Sequence, residues 1–151
     1  MLSYRLRRNI IDISAHVLSA SVFCAIIYSA SGKLSYAAAF LMGAVFIDLD
    51  HLIDSFLFSK TKFNLKDFFS ASHINSGKVY LILHSWELIF VLFLVSCALN
   101  SAQLFIFACG LTLHLTIDIV QRKNKLAYFI FYRLMKKFDV KVILPEVLEK
   151  K

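Results

Sequence analysis

Apolar residues fill four long stretches of this chain, near 11–30, 35–58, 79–99 and 101–120, and polar residues gather in the connections. Each stretch reaches the roughly 20 residues that a helix needs to cross about 30 Å of hydrocarbon. The connections are unequal. "SGKL" and the neighbourhood of Asn100 are tight turns, whereas 59–78, "SKTKFNLKDFFSASHINSGK", is a long polar loop. Short turns make antiparallel neighbours. The pattern therefore predicts an all-α, polytopic membrane protein, a single domain over residues 1–151 built as an antiparallel bundle of four transmembrane helices.

The composition agrees, with 59% hydrophobic and 18% charged residues and a mean hydropathy of +0.69. A soluble domain has a larger charged share. The 17 Lys and Arg fall as three before the first span, one in the first turn, four in the long loop, none in the second turn and nine after the fourth span. By the positive-inside rule both termini and the long loop face the cytoplasm, as in a multi-pass membrane protein. The first span, behind "MLSYRLRR" and ending near "YSAS", also has the outline of a signal peptide, but it is read as a retained span.

Residues 121–151 form a cytoplasmic segment. Within it "LAYFIFYRLMKKF" mixes aromatic and aliphatic residues with Arg133, Lys136 and Lys137, which suits either an interfacial helix drawn to anionic lipid or a continuation of the fourth helix. The last residues read as a frayed tail.

Several function classes drop out. A net charge of +7 does not imply nucleic acid here, because the aromatic residues lie in the spans rather than on a basic soluble face. Cys24, Cys97 and Cys109 have no CxxC spacing, so neither a disulfide framework nor a thiolate zinc site is indicated. No HExxH helix is present for zinc proteolysis.

The ionisable residues inside the spans carry the chemistry. Asp12 and His16 open the first, Asp48, Asp50, His51 and Asp54 close the second, His84 and Glu87 open the third, and His114 and Asp118 close the fourth. In an antiparallel bundle all of these lie in the cytoplasmic halves, and the outer halves contain no acid or histidine. His84 and Glu87 are spaced i, i+3 and His114 and Asp118 i, i+4, so each pair shares a helix face. Carboxylates alone repel one another, and the sequence offers no Lys or Arg at matching depth. A divalent cation neutralises them, and imidazole with carboxylate suits zinc or manganese, as one ion or two. Asp12 reads as an interfacial residue near Arg7 and Arg8, His73 and Asp67 as surface residues of the loop, and Trp86 as a marker of the membrane interface.

These residues, in this order, resemble the LexA-regulated, membrane-bound metal-dependent hydrolases, small bacterial inner-membrane proteins. "AHVLSA" is similar to the family's Thr-His element and supplies His16. "LMGAVFIDLDHLID" resembles its Gly-x-x-x-Pro-Asp-x-Asp-His element and supplies Gly43, Asp48, Asp50 and His51. "LHSWE" matches its Thr-His-Ser element through His84 and Ser85, and "LTLHLTID" its Ser-His-x-x-x-Asp element through His114 and Asp118. There are departures. Ile47 stands where the family has proline, and Val79, Tyr80 and Leu81 replace its His-Arg-Gly, removing a histidine and a phosphate-binding arginine.

The expected function is metal-dependent hydrolysis, with water activated by the ion. His16, Asp50, His51, His84, His114 and Asp118 are the expected metal ligands. Glu87 is the candidate general base, and Asp48 a catalytic or histidine-orienting carboxylate. A site just below the cytoplasmic interface is most easily reached by a membrane lipid, so the expected substrate is a lipid ester or phosphoester, with Lys62, Lys66 and Lys78 beside it. The alternatives are a metal-ion or proton transporter, which would need polar groups across both halves, and a non-catalytic metal-binding module. A haem carrier would have no use for so many carboxylates.

Overall fold

Gly32 and Asn100 turn the chain back on itself where the two tight connections were expected. In the computed structural model, which describes residues 4–48, 50, 77–121 and 124–145 and side chains from residue 11 onward except those of Phe46 and Gln121, both adopt left-handed backbone, with φ of 66° and 49°. Gly32 closes α1 (Tyr4–Ser31) by donating its N–H to Tyr28 O at 2.8 Å and opens the way to α2 (Leu34–Val45). Asn100 ends α3 (Trp86–Ala98) with a paired cap before α4 (Ala102–Gln121). Its N–H reaches Cys97 O at 3.1 Å and that of Ser101 reaches Ser96 O at 2.9 Å, satisfying carbonyls that a helix end leaves open.

The four helices pack with α2 between α1 and α4, and α4 between α2 and α3. The α2–α4 contact is the most extensive, and its centre is a glycine pair. A Cβ on Gly43 would run into Phe107 O, and one on Gly110 into Phe40 O, so the two backbones meet there without side chains between them. Ala20, Phe40 and Ala44 form a small core at this crossing.

Among the described residues, two helices are long and apolar enough to cross a membrane, through Ile11–Ser31 and Ala102–Val120. Large apolar side chains point outward from them and from α3, among them Leu18, Val22, Ile26 and Phe90. The second and third expected spans differ from the sequence pattern. Over 35–58, α2 stops at Val45 and tightens into a 3-10 turn at Phe46–Asp48. Residues 49 and 51–58 lie outside the described residues, as do 59–76.

Over 79–99 the expected helix begins only at Trp86. Residues 77–85 are irregular because their polar groups bond outside the segment. Val79 N–H donates to Phe138 O at 3.0 Å, and Val140 N–H to Gly77 O at 3.2 Å. An isolated bridge pairs Lys78 with Asp139. Tertiary partners here outcompete the next helical turn.

Of the two readings for the segment after α4, continuation of the helix does not hold. Rather than extending that helix, the chain forms a 3-10 turn at Lys125–Tyr128 and two short helices, α5 (Ile130–Met135) and α6 (Val140–Ile143). Tyr128, Val140, Ile143 and Leu144 are buried in one core with Val79, Ile89, Leu111 and Leu115, against which Trp86 also packs. Phe131, Leu134 and Met135 remain exposed. Among the described residues, the architecture is wholly helical apart from the irregular connections.

Candidate metal centre

The glycine crossing fixes where the site begins. Gly110 holds α4 against α2, and His114, one turn further along, donates Nδ1–H to Ala44 O at 2.9 Å. That bond selects the tautomer, leaving the Nε2 lone pair free to point onward. It points at carboxylates, for His114 Nε2 stands 3.4 Å from Asp48 Oδ1 and 3.6 Å from Asp118 Oδ2. It makes no hydrogen bond among the described residues and is fully buried. A lone pair facing two carboxylate oxygens is repulsive unless a proton or a cation lies between them.

His84 converges on the same oxygens from the irregular segment, with Nε2 at 3.5 Å from Asp48 Oδ1 and 3.9 Å from Asp118 Oδ2. Donors about 2.1 Å from one tetrahedral ion lie about 3.4 Å apart. The four nitrogen–oxygen separations, 3.4 to 3.9 Å, are close to that figure. Two overlapping triads, His16–His114–Asp118 and Asp48–His84–His114, each keep their donor atoms within 4.8 Å of one another. These groups can hold a metal ion.

Asp118 is shared between neighbours. Its Oδ2 faces His84 and His114, while its Oδ1 lies 3.1 Å from His16 Nε2. His16 stacks on the His114 ring at 4.0 Å between centroids. Asp12, read from the sequence as an interfacial residue, brings Oδ1 to 3.7 Å from His16 Nε2, one helical turn away.

Of the expected ligands, His16, His84, His114 and Asp118 are thus brought together. Asp50 is adjacent but belongs to neither triad. Its Oδ2 accepts from Leu83 N–H at 2.6 Å and His84 N–H at 3.4 Å, and faces His84 Nδ1 at 3.4 Å. Asp48, expected as catalytic or orienting, joins a triad. The 3-10 turn separates the two acids, sending Asp48 to the donors and Asp50 behind His84. His51 and Asp54 lie outside the described residues, as do His73, Asp67, Lys62 and Lys66.

Glu87 does not share a face with His84, because His84 precedes the helix. The Glu87 carboxylate accepts from Ile130 N–H at 3.0 Å and Phe131 N–H at 3.3 Å, capping α5. Nor does the site lack a buried cation, as the sequence suggested. Arg133 is 1% exposed. Its Nη1 donates to Tyr80 O and Leu81 O, and its Nη2 to His84 O at 3.1 Å. In the sequence it was one basic residue of an amphipathic run, and the fold that buries it is tertiary. Leu81, itself one of these acceptors, has φ of 45°, a left-handed conformation costing about 1–2 kcal/mol in a residue with a Cβ.

Compared with known proteins, the chain matches no family model, and no curated protein or solved structure is similar enough to count as a match. The functional reading rests on the site itself.

Proposed function

We propose that this protein is a membrane-embedded, metal-dependent hydrolase that cleaves an ester or phosphoester bond of a lipid at the cytoplasmic face. The observation that carries the reading is His114, whose Nδ1 is tied to Ala44 O while its buried Nε2 faces Asp48 and Asp118. His84, His114 and Asp118 are all buried. Two imidazoles and one carboxylate are the ligand set of hydrolytic zinc sites, which keep a further position open for water. A bound zinc or manganese ion would acidify water at that position and polarise the bond to be cut.

The chain's own groups fit the remaining tasks. Asp48 faces both imidazoles, yet its side chain is 45% exposed, so it stands where water and substrate would enter and can orient that water or take its proton. His16 holds the second oxygen of Asp118, and Asp50 sits behind His84, each keeping a ligand in place.

The substrate class is argued from location. The donors come from the N-terminal half of α1, the turn after α2, the segment before α3 and the end of α4, which lie together toward one end of the bundle, and 16 of the 17 Lys and Arg lie in segments assigned to that side. Positive-inside orientation then puts that end at the cytoplasmic leaflet, with α1 and α4 long enough to cross the inner membrane and the shorter α2 and α3 packed in the same bundle. The exposed apolar flanks of α1 and α3 suit lipid. The exposed Phe131, Leu134 and Met135 beside Lys136 and Lys137 suit an interfacial position for the segment that follows. The order of motifs supports a distant relation to the LexA-regulated membrane hydrolases. A transporter would need ionisable groups through the outer half, where the sequence has neither acid nor histidine.

The test is elemental mass spectrometry on detergent-purified protein, followed by assay on lipid phosphoesters in mixed micelles before and after chelation. Stoichiometric metal, with turnover abolished by chelator and restored by zinc or manganese, is the expected result. Protein that neither retains nor takes up metal refutes the reading.

A further inference from the structure

The carbonyls and the amides of the segment that delivers His84 are held from opposite sides by opposite charges. On one side Arg133 donates to the carbonyls of Tyr80, Leu81 and His84. On the other, Asp50 accepts from the N–H groups of Leu83 and His84. Ser85 adds a hydroxyl bond to Ile82 O at 2.7 Å, and His84 N–H also reaches Leu81 O at 3.1 Å. The segment has no helix of its own to set the imidazole's direction, and it passes through the left-handed Leu81.

Arg133 comes from α5, beyond the last long helix, and is among the largest fully buried side chains of the protein. A planar guanidinium presents its donors as a rigid fork on two separate nitrogens, so it holds three carbonyls in a fixed relative placement that a single ammonium nitrogen sets less firmly. Burying such a charge is costly unless it is well bonded, so its position calls for a reason beyond packing.

We infer that Arg133 is a positioning residue of the metal site, acting through His84, and that the segment after the last long helix is part of that site. The inference rests on the proposed metal reading. Arg133 fixes the carbonyl side of residues 80–84, so the His84 imidazole approaches the ion along one direction. Without it, the segment relaxes at Leu81 and Nε2 leaves its place opposite Asp48 and Asp118.

The experiment is titration of the full chain in detergent with cobalt(II) alone, read by the visible ligand-field bands, for the parent, Arg133→Met, Arg133→Lys, His84→Ala and the double variant Arg133→Met/His84→Ala. Helix content and detergent gel filtration report folding. Arg133→Met is expected to bind about 10- to 100-fold more weakly, the usual effect of removing a group that orients a ligand, with bands shifted toward those of His84→Ala. Arg133→Lys, which keeps the charge but loses the fork, is expected to lose less. The double variant is expected to bind no more weakly than His84→Ala, because Arg133 has nothing left to position.

Parent affinity and bands in Arg133→Met would overturn the inference. So would a double variant weaker than His84→Ala by the full Arg133 factor, since Arg133 would then act on the site independently of His84. If Arg133→Met does not fold, Arg133→Lys decides by the same comparison, bands unchanged from the parent being the overturning result. A folded parent that binds no cobalt is a different failure, because it removes the metal reading itself and this inference with it.

Discussion

His114 and His84 reach the same pair of carboxylates by opposite means. His114 rides on a regular helix, set by the Gly43–Gly110 crossing and by one bond to a neighbouring backbone carbonyl. His84 stands on an irregular segment and depends on side chains from distant parts of the chain, Arg133 and Asp50. A ligand on a helix needs its helix in the right place. A ligand on a loop needs its loop built for it, and the residues that build it are themselves buried and charged.

The largest way to break the comparison is to remove the helical arm. His114→Ala is expected to abolish metal retention, at least a 100-fold loss, because it deletes a donor while Asp48 and Asp118 remain opposed; elemental analysis of purified protein checks this. Moving the arm rather than deleting it comes next. Gly43→Ala sets a Cβ against Phe107 O, and is expected to cost about 1–3 kcal/mol of stability, read as a lower unfolding temperature in detergent, with weaker metal binding as His114 draws away from Ala44.

On the loop side, Asp50→Ala leaves the Leu83 and His84 amides without their acceptor. About a 10-fold weaker cobalt affinity is expected, with the helix content of the parent retained. A drop as large as that of His114→Ala would show Asp50 to be a ligand rather than a support. Acidification should loosen both arms, because an imidazole must be neutral to ligate and protons compete with the ion. Binding isotherms should therefore show affinity falling as the pH falls.

The smallest effect is expected at Glu87. Glu87→Ala removes the cap on Ile130 and Phe131 N–H and should cost about 0.5–2 kcal/mol, with metal content unchanged. If turnover of a lipid phosphoester vanished while metal stayed bound, the carboxylate would have a chemical role that its position at α5 does not suggest.

The helical arm was legible in the sequence. His114 and Asp118 stand four residues apart in an apolar helix, where any ionisable group is conspicuous, and antiparallel packing carries them to His16 without further information. The loop arm was not. The apolar run over 79–85 has the composition of a helix, and only tertiary partners keep it irregular. For the same reason His84 and Glu87, three apart, were assigned one face and in fact part company. Asp48 joins the donors while Asp50 sits behind His84 because a 3-10 turn rotates each residue further than an α-helix does. Arg133 carried no sign of burial, since its neighbours Lys136 and Lys137 look the same in sequence and stay outside the core.

The grip of Arg133 on residues 80–84 also has a temporal side. A chain made from its N-terminus holds every residue of both triads before residue 133 is added. On the inference above, the last ligand to take its direction is then His84, once the C-terminal segment has packed against residues 80–84.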